Sequence, residues 1–122
     1  MRKVIFDSSF LIAVVEKPTT WFEDMVEGIG TFQPVMLNCV KEELEKLASG
    51  QGRRSRSARV ALELAAKFAR ERCGGGSVDD EIASAALSSG ALVATIDEEL
   101  ARSLRRAHGR VATLKRGRVH LD

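Results

Sequence analysis

Lys3-Val-Ile-Phe-Asp-Ser-Ser-Phe-Leu-Ile12 is the stretch whose reading decides the fold. Lys3 to Phe6 is a short, mostly apolar run of the kind that forms a buried strand. Asp7 stands where that strand stops. Ser8 and Ser9 then lead into a run, apolar nearly all round as far as Val15, that suits a helix lying against a sheet. Open α/β sheets place their ligand chemistry just beyond the carboxyl ends of strands, which makes Asp7 a candidate site residue. The same arrangement recurs at Ala91-Leu-Val-Ala-Thr-Ile-Asp97.

Outward from these two units the chain alternates between strand and helix. Pro18 ends the first helix, and Thr20-Trp-Phe-Glu23 fits a capping box that opens a second, running to Gly28 or Gly30. Residues 34–37 read as a strand, and Asn38 as the N-cap of a helix over 39–48. Residues 50–57, glycine-bearing and basic without apolar pattern, read as a loop. Ala61, Leu64, Ala65 and Phe68 recur at helical spacing, which predicts a fourth helix ending near Cys73. After Gly74-Gly-Gly76, Ser77-Val-Asp-Asp80 is a second capping box, opening a helix of small residues closed by Gly90. Leu100 and Leu104 mark a sixth helix with Arg105 and Arg106 near its negative end. Residues 111–114 and 118–121, around Arg116-Gly117, read as a strand and an edge strand or hairpin. The expectation is a three-layer α/β/α domain with a mostly parallel central sheet of four to five strands.

Composition narrows the function classes. The 122 residues are 44% apolar and 30% charged, ordinary for one globular domain, and the net charge of +2 does not by itself announce a nucleic-acid binder. No run approaches the roughly 20 apolar residues of a membrane span. Cys39 and Cys73 have no zinc or redox spacing, and no signal sequence precedes the first strand, so a reducing cytoplasm is the expected location.

Four acids share one property in this reading. Asp7 and Asp97 lie at strand ends, Asp79 lies in the first turn of a helix, and Glu43 about one turn into the helix after the second strand. In a doubly wound sheet these points gather at one rim. Clustered carboxylates repel, and a bound divalent cation offsets that repulsion; all-oxygen ligands suit Mg²⁺ or Mn²⁺ rather than zinc. Each acid also has a plainer role available, since Asp7 or Asp97 could serve as an N-cap. Asp80 is the capping-box partner of Ser77 and supports the site beside Asp79. Glu42 and Glu45 read as solvated helix surface.

These residues resemble the PIN-domain family of metal-dependent ribonucleases, which includes the toxins of toxin–antitoxin pairs. The family's opening Asp-Ser/Thr-Ser/Asn-x-Leu is matched by Asp7-Ser8-Ser9-Phe10-Leu11, its Glu-Leu by Glu43-Leu44, its Asp-x-x-Ile-Ala by Asp79-Asp-Glu-Ile-Ala83, and its Thr-x-Asp by Thr95-Ile-Asp97. Each motif is short, but all four come in order. The Val78-Asp-Asp80 doublet and the arginine-rich loop look most like archaeal members related to the branch that processes ribosomal RNA. The resemblance implies that Asp7, Glu43, Asp79 and Asp97 are catalytic and hold Mg²⁺ or Mn²⁺, with Ser9 and Thr95 supporting them by hydrogen bonds. It implies an RNA substrate, an antitoxin partner if the chain is a toxin, and a homodimer, for which Trp21, Phe22 or Met25 could serve.

A nuclease also needs positive charge near its acids. Arg53, Arg54, Arg56 and Arg59 form one basic group, and the first three are the preferred RNA contacts because glycines and serines let that segment move. Arg102, Arg105, Arg106, Arg110, Lys115, Arg116 and Arg118 form a second, for which backbone binding and plain solvation weigh equally. Two other functions stay open: a PIN-like module that binds RNA or protein without turnover, and a phosphoacceptor receiver domain, which would need a second acid beside the first and a lysine after a late strand.

Overall fold

Val4, Ile5 and Phe6 are completely buried, so the opening strand has both faces covered and lies in the middle of its sheet. The computed structural model describes all 122 residues. In chain order it contains β1 (Arg2–Phe6), α1 (Ser8–Glu16), α2 (Trp21–Ile29), β2 (Phe32–Leu37), α3 (Asn38–Ala48), α4 (Arg53–Leu64), β3 (Ala69–Glu71), α5 (Val78–Ser89), β4 (Leu92–Ala94), α6 (Glu98–Arg106), β5 (Arg110–Lys115) and β6 (Arg118–Leu121). The sheet has six strands, more than the four to five expected because the three-residue β3 leaves no periodic signal, in the order β3-β2-β1-β4-β5-β6. The first five are parallel and β6 returns antiparallel to β5.

Right-handed crossovers set the layers. The chain steps one way from β1 to β2 to β3, then the other way to β4 and β5, so α1–α4 cover one face and α5 and α6 the other. Contacts among α1, α3 and α4, and of α5 and α6 with β4 and β5, agree with that division. The Phe6 ring anchors the first face, with ring centroids of Phe68, Phe10 and Trp21 at 5.1, 5.5 and 5.6 Å. Trp21 is thus a packing residue, and Met25 is fully buried; of the three residues expected at a dimer contact only Phe22 is exposed, at 52%.

Several local expectations need correction. The basic segment 50–57 is a loop only as far as Gly52, whose φ of +98° no side chain adopts readily; α4 begins at Arg53. Its inward face is Ser55, Ser57, Ala58 and Ala61, small residues that let it lie close to its neighbours but give no hydrophobic signal. That helix stops at Leu64 rather than near Cys73, and Ala69–Glu71 pairs with Val35–Leu37 as an edge strand too short to be read from periodicity. Thr20 does not cap α2; its hydroxyl donates to Asp24 Oδ2. Asn38 is the first residue of α3, and no side chain caps that end. Ser77 does cap α5, accepting from the Asp80 N–H, but the acid that reaches back is Glu81, which accepts from the N–H groups of Gly74 and Gly76. Cys39 and Cys73 are not free: they form a disulfide with a Cα–Cα distance of 6.0 Å. No motif spacing marks such a pair, because it depends on β3 delivering Cys73 beside the start of α3.

At the far edge Arg116 and Gly117 both have positive φ, the geometry of a two-residue hairpin turn, as the sequence suggested. The hairpin is tied to α2 by Asp24, which accepts from Arg118 Nε (2.9 Å) and Nη2 (3.1 Å) and from the Val119 N–H (3.0 Å). The Arg118 guanidinium, then the Val119 amide, lower the Asp24 pKa to about 2. A carboxylate depressed by folding contributes stability above its ordinary 3.8 and loses it as pH falls toward 2. Carbon-detected NMR should find Asp24 titrating near 2, and Asp24→Asn should flatten the loss of stability between those two values. An Asp24 titrating with the other surface acids would show that the tie is not made in solution.

Candidate metal and nucleic-acid site

The strand order reverses between β1 and β4, and a crevice opens at their carboxyl ends where the connections leave for opposite faces. Asp7, Glu43, Asp79 and Asp97, brought there by β1, α3, α5 and the β4–α6 turn, all line one pocket of about 390 Å³. Ser8, Ser9, Lys46, Leu47 and Arg54 line it with them.

Asp7 occupies the N-cap position of α1 yet makes no capping bond. Its Oδ2 instead accepts from Ser9 Oγ at 2.6 Å and from the fully buried Thr95 Oγ1 at 2.7 Å. Each hydroxyl has one proton and gives it to Asp7, so this oxygen is held as an acceptor. The hydroxyl oxygens in turn accept from the next strand: Ser9 Oγ from the Ile96 N–H and Thr95 Oγ1 from the Asp97 N–H. These bonds lock the end of β1 to the end of β4. Asp7 is 5% exposed and no buried side-chain polar atom lacks a partner, so its Oδ1, which accepts nothing from the protein, opens into the pocket.

Glu43 and Asp97 divide their oxygens in the same way. Ser8 Oγ donates to Glu43 Oε1 at 2.6 Å. Asp97 Oδ1 caps α6 through the N–H groups of Glu99 and Leu100, so the capping role and the site role coexist on one side chain. The second oxygen of each accepts no protein hydrogen bond. Asp79 is exposed as a residue and makes no side-chain bond at all; partial desolvation of its carboxyl, followed by the charges of Asp7, Asp97, Glu43 and Glu99, raises its pKa. The carboxylates therefore feel one another, although no three already stand around a common point at ligand distance. Three of the acids are drawn toward separate hydrogen-bond donors, and mutual repulsion opposes closer approach. The donor set is hard, anionic and all oxygen, which fits Mg²⁺ or Mn²⁺.

The remaining sequence candidates sort clearly. Asp80 is exposed, does not line the pocket and gives only its backbone N–H to Ser77. Arg54 lines the pocket, whereas Arg53 and Arg56 are exposed in the first turn of α4 outside it. Arg59 donates to the Ala48 carbonyl at 2.6 Å and so closes the end of α3. Glu42 and Glu45 are exposed, as expected. Ser8 and Lys46 were missed. Lys46 could have been found, since it lies three residues after Glu43 on the same helix face; the serine–glutamate bond joins residues 35 apart and left no local signal.

A mostly parallel sheet with acids collected at its reversal point defines a carboxylate-site α/β protein. Among such proteins, the chain belongs to the PIN-like domain family, whose profile matches residues 4–118. No curated protein matches. Of solved structures, that of the PIN domain endonuclease Utp24 is similar at 27% identity and a TM-score of 0.78, covering 98% of this chain and 90% of that one. A domain of a functionally unknown protein from Methanocaldococcus jannaschii aligns over 100% and 97% at 17% identity and a TM-score of 0.63. PAE2754 from Pyrobaculum aerophilum aligns over 81% and 77% at 20% identity and a TM-score of 0.53, and these last two speak to the fold alone.

Proposed function

We propose that this chain is a metal-dependent endoribonuclease that hydrolyses RNA phosphodiester bonds in the acidic pocket, acting in RNA processing. The observation that carries the reading is that four acids from four elements line one pocket, where desolvation and then the charges of the other three raise the pKa of Asp79. Family membership and the likeness to a PIN domain endonuclease support a nuclease-type function. No observation favours a toxin with its antitoxin. Of the residues expected to serve a homodimer, Phe22 on α2 is the one left exposed.

Asp7, Glu43, Asp79 and Asp97 would hold Mg²⁺ or Mn²⁺. When bound, such an ion supplies a more acidic attacking water and positive charge for the phosphodiester oxygens. The chain's own residues prepare the rest. Ser9 and Thr95 fix Asp7 by donating to one of its oxygens, Ser8 aims Glu43, and Lys46 and Arg54 offset the repulsion between the acids and an incoming phosphate. Asp79 releases its proton less readily than an ordinary aspartate, so ion affinity should fall as pH drops.

The test is calorimetric titration of Mn²⁺ into the parent and Asp79→Asn, together with RNA cleavage in Mn²⁺ and in chelator. The parent should bind and cut, the variant should do both poorly, and chelator should stop cleavage. A parent that binds RNA but cuts none in Mn²⁺ would make it a binding module instead. Stability gives an independent check. An acid whose pKa is raised by folding contributes stability below its ordinary 3.8 and loses it as pH rises through the folded value. Asp79→Asn should therefore raise the metal-free Tm slightly at neutral pH, and the gain should vanish below the ordinary value. Equal melting temperatures at neutral pH would mean that the acids do not repel.

A further inference from the structure

The second basic group divides once its partners are known. Arg105 is held by Asp122 through Nε and Nη2, and Arg118 is held by Asp24. Neither is free to meet a phosphate. Arg102, Lys115, Arg116 and Lys17 have no acidic partner within ion-pair distance. Arg102 and Lys115 line a cleft between α6 and β5, together with Ile96, Asp97, Glu98 and Arg105. Lys17 and Arg116 line the cleft next to it with Glu16, and the two clefts share Ile96 and Leu114. The first cleft shares Asp97 with the acidic pocket.

Ile96 lies where these surfaces meet. Its backbone is fixed by the bond to Ser9 Oγ, and its side chain is 40% exposed between Thr95 and Asp97. Holding a β-branched apolar residue open to water beside a charged site costs free energy unless something covers it. Lys46 of α3 and Arg54 of α4 line the acidic pocket from the helical layer across the sheet from α6. The pocket is therefore flanked by unpaired cations on both sides, with an apolar step on one.

From this we infer that single-stranded RNA crosses the acidic pocket from the Lys46–Arg54 side and leaves over Ile96 into the α6–β5 cleft. There Arg102 and Lys115 take the backbone phosphate next to the one being cut, and a base lies against Ile96. The path rests on the endoribonuclease reading. It is favoured over an acidic polypeptide because the cations are continuous with the catalytic acids and because the apolar step offers a base a face to lie on. Asp97 to Arg102 spans about 8 Å of helix, which puts the arginine at a neighbouring phosphate rather than the scissile one. Arg102 and Lys115 are accordingly positioning residues.

The probe is a short, unstructured, fluorescein-labelled oligouridylate. Its binding would be measured against salt concentration in an Asp7→Asn background, so that no cleavage intervenes. Arg102→Ala with Lys115→Ala should weaken binding and flatten the salt dependence by about 0.7 in log–log slope, the share of the one single-strand phosphate the two cations hold. Ile96→Ser should weaken binding with the slope unchanged. Arg106→Ala, an exposed cation of α6 outside the cleft, should do neither. With Asp7 restored, the cleft variants should raise KM and leave kcat alone. The path is wrong if the double variant keeps the parent's slope, if Arg106→Ala weakens binding equally, or if polyglutamate binds the cleft and RNA does not. Loss of binding in the cleft variants of a protein that cuts no RNA would uphold the path and remove the catalytic reading.

Discussion

Replacing Asp7 with asparagine should slow RNA cleavage by roughly 10³-fold, about 4 kcal/mol of transition-state stabilisation. The side chain keeps its shape, and the amide oxygen can still accept from Ser9 and Thr95 as Oδ2 does now. What disappears is the anionic oxygen that opens into the pocket. Stability should not fall, since a charge that raises the pKa of Asp79 goes with it. Single-turnover cleavage in Mn²⁺, read beside a melting curve, separates the two effects. A variant that cuts at the parent's rate would remove Asp7 from the chemistry. A variant that melts early would show that its charge, rather than its shape, holds β1 to β4.

Breaking the Cys39–Cys73 disulfide should be the costliest change to stability. The bridge joins residues 34 apart, and restoring that loop's freedom to the unfolded chain costs about 4 kcal/mol, or about 15 °C in Tm for a chain of this size. The paired variant Cys39→Ser with Cys73→Ser should melt lower by that amount, and the parent should do the same in reductant. The effect should also reach the pocket. Cys39 sits one turn before Glu43 on α3, and Cys73 precedes the three glycines that lead to α5 and Asp79. Mn²⁺ affinity should therefore drop on reduction even where the protein stays folded. Unchanged melting with fully titratable thiols would show that the bridge contributes nothing. The disulfide removes the cysteine half of the argument for a cytoplasmic location.

What could be read from the chain follows physical range. Strand ends, glycine stops and the Asp7, Asp79 and Asp97 positions are local, set by a few consecutive residues, and they were legible. So was the rim on which the acids meet, because parallel α/β topology forces it. The start of α4 was not, since its buried face is serine and alanine and the arginines around them look like loop. Neither was β3, three residues long and recognisable only by its pairing with β2. Within the site, the Thr95–Asp7 bond spans 88 residues and the Ser8–Glu43 bond 35; motif resemblance pointed to Thr95, and nothing pointed to Ser8. The free and the engaged arginines of the second basic group could be told apart only when Asp24 and Asp122 came beside Arg118 and Arg105.

The two margins of the sheet are β3, of three residues, and β6, of four with Arg118 and His120 pointing outward. Strands so short and so charged offer poor templates for another chain to extend. Self-association by continuing the sheet from one molecule to the next is thereby discouraged, and so is fibril growth.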